Sequence, residues 1–184
     1  MKKILFAACM AITMIACKDK NTTQTSDNTE IEQTMNAEKH YFSDETNREI
    51  LTTLEGNQLS FEEIINQQKG KLTVVEIWAS WCPDCIKGFP KLEELQENFP
   101  DLNFVFVSLD KTPEDWKAAI EKYNLKGNHF YIQQKMKESF GTSVALDWIP
   151  RYILVNKDGS IINFKAITAD EEAFINDIKA HYNN

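Results

Sequence analysis

The 184 residues are one domain's worth of chain, and a hydrophobic share of 42% with 11% aromatic is enough to build a core, which excludes overall disorder. A net charge of −8, from 28 acidic against 20 basic side chains with no basic stripe to neutralise phosphates, excludes a nucleic-acid partner. The four cysteines fall at two places, Cys9 and Cys17 in or beside the N-terminal apolar segment and Cys82 and Cys85 mid-chain, so none is left for a structural disulfide.

Residues 1–16 join a basic start, Lys2 and Lys3, to an apolar run from Ile4 to Ile15 in which Thr13 is the polar exception. The run is too short to cross a bilayer comfortably and has the form of a secretory signal. Met14-Ile15-Ala16-Cys17 resembles the bacterial lipoprotein box, with Met14 in place of the usual leucine. That resemblance implies that Cys17 is acylated and becomes the new N-terminus, anchoring the chain to a membrane; the alternative is an ordinary cleaved signal or an uncleaved anchor. Residues 17–40 are rich in Thr, Asn, Gln, Asp, Glu and Lys, too poor in large apolar side chains to order themselves. They are expected to be a flexible tether with a reach on the order of 25 Å.

The folded domain is predicted to span residues 41–184. Leu51 to Leu54 and Gln58-Leu59 flank Gly56-Asn57, a hairpin signal, and Ser60 with Glu63 is a capping-box pattern ahead of a short helix to about Gln68. Leu72 to Trp78 is a near-continuous apolar run, which reads as a central strand buried on both faces. Pro83 to Asn98 carries Ile86, Phe89, Leu92, Leu95 and the following Phe99 at helical spacing, and Asn103 to Leu109 is a second apolar strand, completing a parallel strand-helix-strand unit. Thr112 and Pro113 start a further helix to about Tyr123. His129 to Ile132 is a short strand candidate, and Met136 to Phe140 a short helix ended by Gly141. Arg151 to Val155 and Ser160 to Lys165 form a hairpin about Asn156-Lys157-Asp158-Gly159, and Thr168 with Glu171 is predicted to cap a last helix to about His181. The class is α/β, a mixed sheet flanked by helices, preceded by an N-terminal hairpin and helix.

The chemistry is concentrated where the central strand meets the long helix, at Trp78-Ala79-Ser80-Trp81-Cys82-Pro83-Asp84-Cys85. A cysteine at a helix N-terminus faces unpaired N–H groups and the positive end of the macrodipole, which stabilise a thiolate at Cys82. Cys85, one turn further along the same face, is placed to attack a mixed disulfide on Cys82 as a neighbour at high effective concentration. Half a zinc site is the competing reading. Zinc needs two more ligands, and His40, His129 and His181 show no local ligand spacing, so no metal is expected. Glu76 is set among Val74, Val75, Ile77 and Trp78, where burial would disfavour its ionised form and let it exchange a proton with Cys85. Between the cysteines, Pro83 offers no N–H and Asp84 adds negative charge near the sulfur, both of which bias the pair toward reduction. Trp81 and Trp148 form an apolar rim for a peptide, or belong to the core.

The same stretch resembles the thioredoxin family, in which an apolar strand ends in an aromatic, a small residue and Trp-Cys-x-x-Cys, here Trp78, Ala79, Trp81, Cys82 and Cys85. Further matches are an acid six residues before the first cysteine (Glu76), a helix proline five after the second (Pro90), and Ile149-Pro150 ahead of an apolar strand. The resemblance spans roughly residues 50–180 and is nearest to the membrane-tethered thioredoxin-like proteins of bacterial envelopes. It implies a thioredoxin-like fold and a buried acid at Glu76, an aspartate in the thioredoxins. It also implies a cis-proline at Pro150 facing the cysteines, with Ile149 docking the extended substrate. Gly88 departs from the pattern of cytochrome c maturation reductases, which carry a functional glutamate three residues after the second cysteine. The expected activity is thiol-disulfide exchange on proteins of the cell envelope, in the reducing direction, with no cofactor beyond the Cys82–Cys85 disulfide. Its expected partners are protein thiols and disulfides, a membrane electron donor or acceptor, and the membrane itself. The alternative of another class is a non-catalytic binding module that keeps the fold for protein or copper contact.

Overall fold

The computed structural model describes residues 40–183. The signal segment, Cys17 and the tether expected to end at residue 40 lie outside the described residues, apart from His40. No helix among the described residues is long and apolar enough to cross a membrane.

The chain opens with a short helix, α1 (Asp44–Asn47), and a hairpin of β1 (Ile50–Thr53) and β2 (Gln58–Ser60) in which Leu51 pairs with Leu59. Gly56 turns the hairpin with φ 89°, a left-handed conformation that a side chain rarely adopts. Helix α2 (Phe61–Gln67) starts in the expected capping box, with Ser60 and Glu63 bonding each other's backbone N–H. β3 (Thr73–Trp78) is buried at every position. It leads into α3 (Pro83–Asn98), which runs through Pro90. β4 (Asn103–Ser108), α4 (Pro113–Tyr123) and β5 (Asn128–Tyr131) follow, and Thr112 caps α4 through the Asp115 N–H. After α5 (Ser139–Ser143) the chain forms β6 (Arg151–Val155), β7 (Ile161–Ala166) and α6 (Glu172–Tyr182).

The strands make one mixed sheet in the order β2-β1-β5-β4-β3-β6-β7. β3 pairs parallel with β4 and antiparallel with β6, as a buried strand between two neighbours must to satisfy its backbone. Residues directly opposite across the sheet share a face, so Glu76 stands with Phe106 of β4 and Tyr152 of β6. On this face Trp78 meets Phe89 of α3 edge-to-face at 5.5 Å, and Tyr152 meets Phe174 of α6 at 6.0 Å. Leu92 and Leu95 complete the buried stripe of α3, each contributing roughly 1.5–3 kcal/mol by burial. The cysteine-bearing helix is thus fixed to the sheet along its length, and its N-terminus is set at the C-terminal end of β3.

Two helix ends differ from expectation. Gly141 does not end a helix at Met136–Phe140. It lies inside α5, where an added Cβ would come within 1.9 Å of the Met136 carbonyl oxygen. The glycine serves close backbone approach rather than termination, and the Gln134 side chain meets the helix start by accepting from the Phe140 N–H at 2.8 Å. The last helix begins at Glu172 rather than after Thr168, because the Glu171 carboxylate accepts from the Ile167 N–H instead of closing a capping box. β5 begins one residue earlier than expected.

Candidate active site

β3 ends at Trp78, and the chain turns through Ala79–Trp81 into the N-cap of α3, which is Cys82. Its sulfur accepts from the Cys85 N–H at 3.1 Å, the cap bond that Ser or Asp makes elsewhere, and Pro83 sits where no N–H is needed. Cys82 and Cys85 are joined as a disulfide with Cα atoms 5.3 Å apart. Cys85 is fully buried while Cys82 keeps 4% of its surface, so the first sulfur is the one that an incoming group meets. The loop before it is tied down by Asp110, a buried carboxylate just past β4. Asp110 accepts from the Ser80 N–H at 3.0 Å, the Ser80 hydroxyl at 2.6 Å and the Ser108 hydroxyl at 2.7 Å. Asp110 and Ser80 were not singled out by the sequence; an acid just past an apolar strand has no pattern of its own until the strands pair.

The Ile149-Pro150 bond is cis, and the Ile149 carbonyl oxygen lies 3.5 Å from Cys82 Sγ. The structure therefore brings the two expected docking residues against the cysteine pair. Ile149 is buried, and its carbonyl oxygen is the atom that meets the sulfur. Trp81 and Trp148 are 50% and 55% exposed, which excludes them from the core. Trp148 borders a hollow of about 280 Å³ shared with Pro150, Asp84, Gly88 and Ile167. Ile167, 47% exposed, is a third apolar rim residue that the sequence did not mark.

Glu76 has no exposed surface, and Tyr152 Oη donates to its Oε1 at 3.2 Å. Its other oxygen, Oε2, is buried without a partner among the described residues. Burial pushes the Glu76 carboxyl up to about 8, and the Tyr152 hydrogen bond only partly opposes this. Burial, then the neighbouring Glu76, pushes the Tyr152 hydroxyl well above its ordinary value. At Gly88 on α3 an added Cβ would stand 3.4 Å from the Tyr152 hydroxyl, so the position that carries glutamate in cytochrome c maturation reductases here faces a tyrosine from the sheet.

Asp84 lies in the first turn of α3, half exposed, with Lys87 Nζ 3.8 Å from its carboxylate. Arg151, directly after Pro150, is buried and paired with Asp147, which also binds Lys165. Burial pulls the Arg151 guanidinium down, opposed by the Asp147 charge. The histidines that bear on a metal site are otherwise engaged. His129 bonds the Leu125 carbonyl at 3.0 Å and stacks on Phe106, and His181 bonds the Asp177 carbonyl at 2.9 Å. No group of three metal-binding side chains occurs among the described residues.

Residues 70–161, half of the chain, match the family model described as thioredoxin-like. The chain is similar to the thiol-disulfide oxidoreductase ResA of Bacillus anthracis, 24% identical over 127 residues, which cover 68% of this chain and 69% of that protein. Among solved structures it resembles the thioredoxin domain of a thiol-disulfide oxidoreductase from Bacteroides vulgatus, with a TM-score of 0.60 and 27% identity over 73% of this chain and 92% of that one. It also resembles a thiol:disulfide interchange protein from Bacteroides sp., with a TM-score of 0.59 and 28% identity over 73% of this chain and 86% of that one. With that match over half of its length, a cysteine pair at the helix N-terminus and the Ile149 carbonyl against the first sulfur, the chain belongs to the thioredoxin-like family.

Proposed function

We propose that this thioredoxin-like thiol-disulfide oxidoreductase reduces protein disulfides in a bacterial cell envelope, held to a membrane by a lipid on Cys17. The observation that carries the chemistry is the asymmetry of the pair: Cys82 at the helix N-cap keeps a sliver of exposed surface, and Cys85, one turn behind it, keeps none. In the dithiol form the Cys82 thiolate attacks a substrate disulfide and releases one substrate thiol. Cys85, its proton passed to Glu76 in its ionised form, then attacks Cys82 Sγ, releasing the second thiol and leaving the Cys82–Cys85 disulfide. Two electrons from a membrane donor restore the dithiol, and no other cofactor takes part. The extended substrate lies along the Ile149 backbone at Pro150, between the exposed rings of Trp81 and Trp148. Reduction of insulin disulfides by dithiothreitol tests the activity: wild type accelerates it, and Cys82→Ser does not. Equal rates for the two proteins favour a binding module instead.

The anchor and the direction have separate tests. The location rests on the N-terminal segment, with its basic start, short apolar run and lipoprotein-box pattern. Cys17→Ala is expected to leave the protein unacylated and to move it from the membrane to the soluble fraction. Retention of Cys17→Ala on membranes at the wild-type level removes the lipid anchor from the proposal.

Pro83 and Asp84 supply the bias toward reduction. The strongly oxidising relatives carry Cys-Pro-His-Cys, so Asp84→His exchanges a repulsion of the thiolate for an attraction. It is expected to lower the Cys82 pKa and to make the pair more oxidising by about 30 mV, equivalent to about 1.4 kcal/mol for a two-electron couple. Lys87 beside Asp84 offsets part of its charge, so Lys87→Ala is expected to shift the potential the opposite way. A dithiothreitol equilibrium reads both; an unchanged potential in Asp84→His shows that the helix N-terminus, not this charge, sets the direction.

A further inference from the structure

We infer that Tyr152 is the positioning residue for Glu76: its hydroxyl engages one carboxyl oxygen, so that the proton exchanged during resolution is carried on the other. The inference deepens the proposed role of Glu76 and rests on it. Tyr152 and Glu76 are directly opposed on β6 and β3, and the tyrosine donates to Oε1 at 3.2 Å. A carboxylic acid protonated on Oε1 would set its own hydrogen near the tyrosine's, so the protonated form carries its hydrogen on Oε2. That atom is buried and has no partner among the described residues, so it stays free to take or give a proton when a thiol turns toward it. The tyrosine is itself held. Phe174 packs against its ring at 6.0 Å, and its hydroxyl lies beside Gly88, one helical turn after Cys85. The hydroxyl thus reaches Glu76 from the sheet beside a position of α3 that carries no side chain.

The charged surroundings leave Tyr152 as the neighbour that tunes Glu76. On the same face Phe106 of β4 is apolar. From α3, Asp84, Lys87 and Lys91 border the hollow that Tyr152 also lines. Lys91 is paired with Asp170 from the segment ahead of α6, whose charge acts on the Tyr152 hydroxyl. A hydrogen bond from Tyr152 favours the ionised carboxylate, so removing it should make Glu76 a weaker acid.

Tyr152→Phe keeps the ring and deletes the donor. Mixed-disulfide resolution followed from pH 5 to 10 is expected to keep its sigmoidal profile with the midpoint moved up by about one pH unit, a rate about tenfold lower at neutral pH. Glu76→Gln in the same assay should give a slow rate whose midpoint at the Glu76 pKa is gone. A Tyr152→Phe profile that superimposes on wild type, while Glu76→Gln has lost its midpoint, overturns the role of Tyr152 and leaves Glu76 as the acid. A wild-type profile in Glu76→Gln overturns both. As a readout independent of turnover, the carbon-13 shift of the Glu76 carboxyl in the oxidised protein should titrate at higher pH in Tyr152→Phe; an unmoved titration sinks the inference.

Discussion

Cys85→Ser is expected to convert the protein into a trap. Cys82 retains its place at the N-cap of α3 and its small accessible surface, so capture of a substrate disulfide survives. Resolution is lost, because the intramolecular attack that Cys85 makes has an effective molarity no free thiol in solution matches. Alkylation-controlled gels should show a ladder of mixed disulfides in Cys85→Ser that is absent in Cys82→Ser and collapses with reductant. The asymmetry follows from burial: Cys85 has no exposed surface, so when Cys82 is removed the remaining thiol meets no protein substrate. Equal ladders from the two variants would show that either sulfur can be attacked, and the assignment of roles would fall.

Glu76→Gln should separate from wild type with pH in both rate and stability. The folded protein holds the Glu76 carboxyl at about 8, against an ordinary value of 4.5, so the folded state binds the proton more tightly than the unfolded state. Its favourable contribution is fully present below about pH 4.5 and is lost as pH rises through about 8, where a charge must be kept in the core. Glutamine never pays that penalty and still offers an oxygen to Tyr152. The oxidised Glu76→Gln protein is therefore expected to match wild type near pH 4.5 and to exceed it by several kcal/mol near pH 9, on the order set by the pKa displacement. Urea denaturation at the two pH values measures this. Parallel stabilities at both would mean that Glu76 is not a buried acid. In turnover the same variant should slow resolution at neutral pH while leaving the first attack by Cys82 intact, since the amide takes no proton from Cys85.

The elements that hold the site were legible because each carries a local signal. The buried run of β3, the amphipathic α3, and the caps at Ser60 and Thr112 appear where their patterns place them. The errors came where one residue type serves two purposes. Gly141 reads as a helix stop but is required by the passing Met136 backbone. Glu171 reads as a capping partner for Thr168 but bonds Ile167. The site divides the same way. Cys82, Cys85, Glu76 and Pro150 stand in short motifs, whereas Tyr152, Asp110 and Ile167 reach the site through strand register and loop placement. Nothing local in the chain announces that Tyr152 lies opposite Glu76; that follows from the antiparallel pairing of β6 with β3.

Rapid acid quenching of living cells, followed by thiol alkylation, reads the redox state in which the Cys82–Cys85 pair is held. A protein that reduces envelope disulfides and is recharged by a membrane donor is predicted to be found mainly as the dithiol, shifting to the disulfide when that donor is removed. A pair recovered wholly as the disulfide in unperturbed cells, and unmoved by loss of electron supply, would contradict reduction as its function.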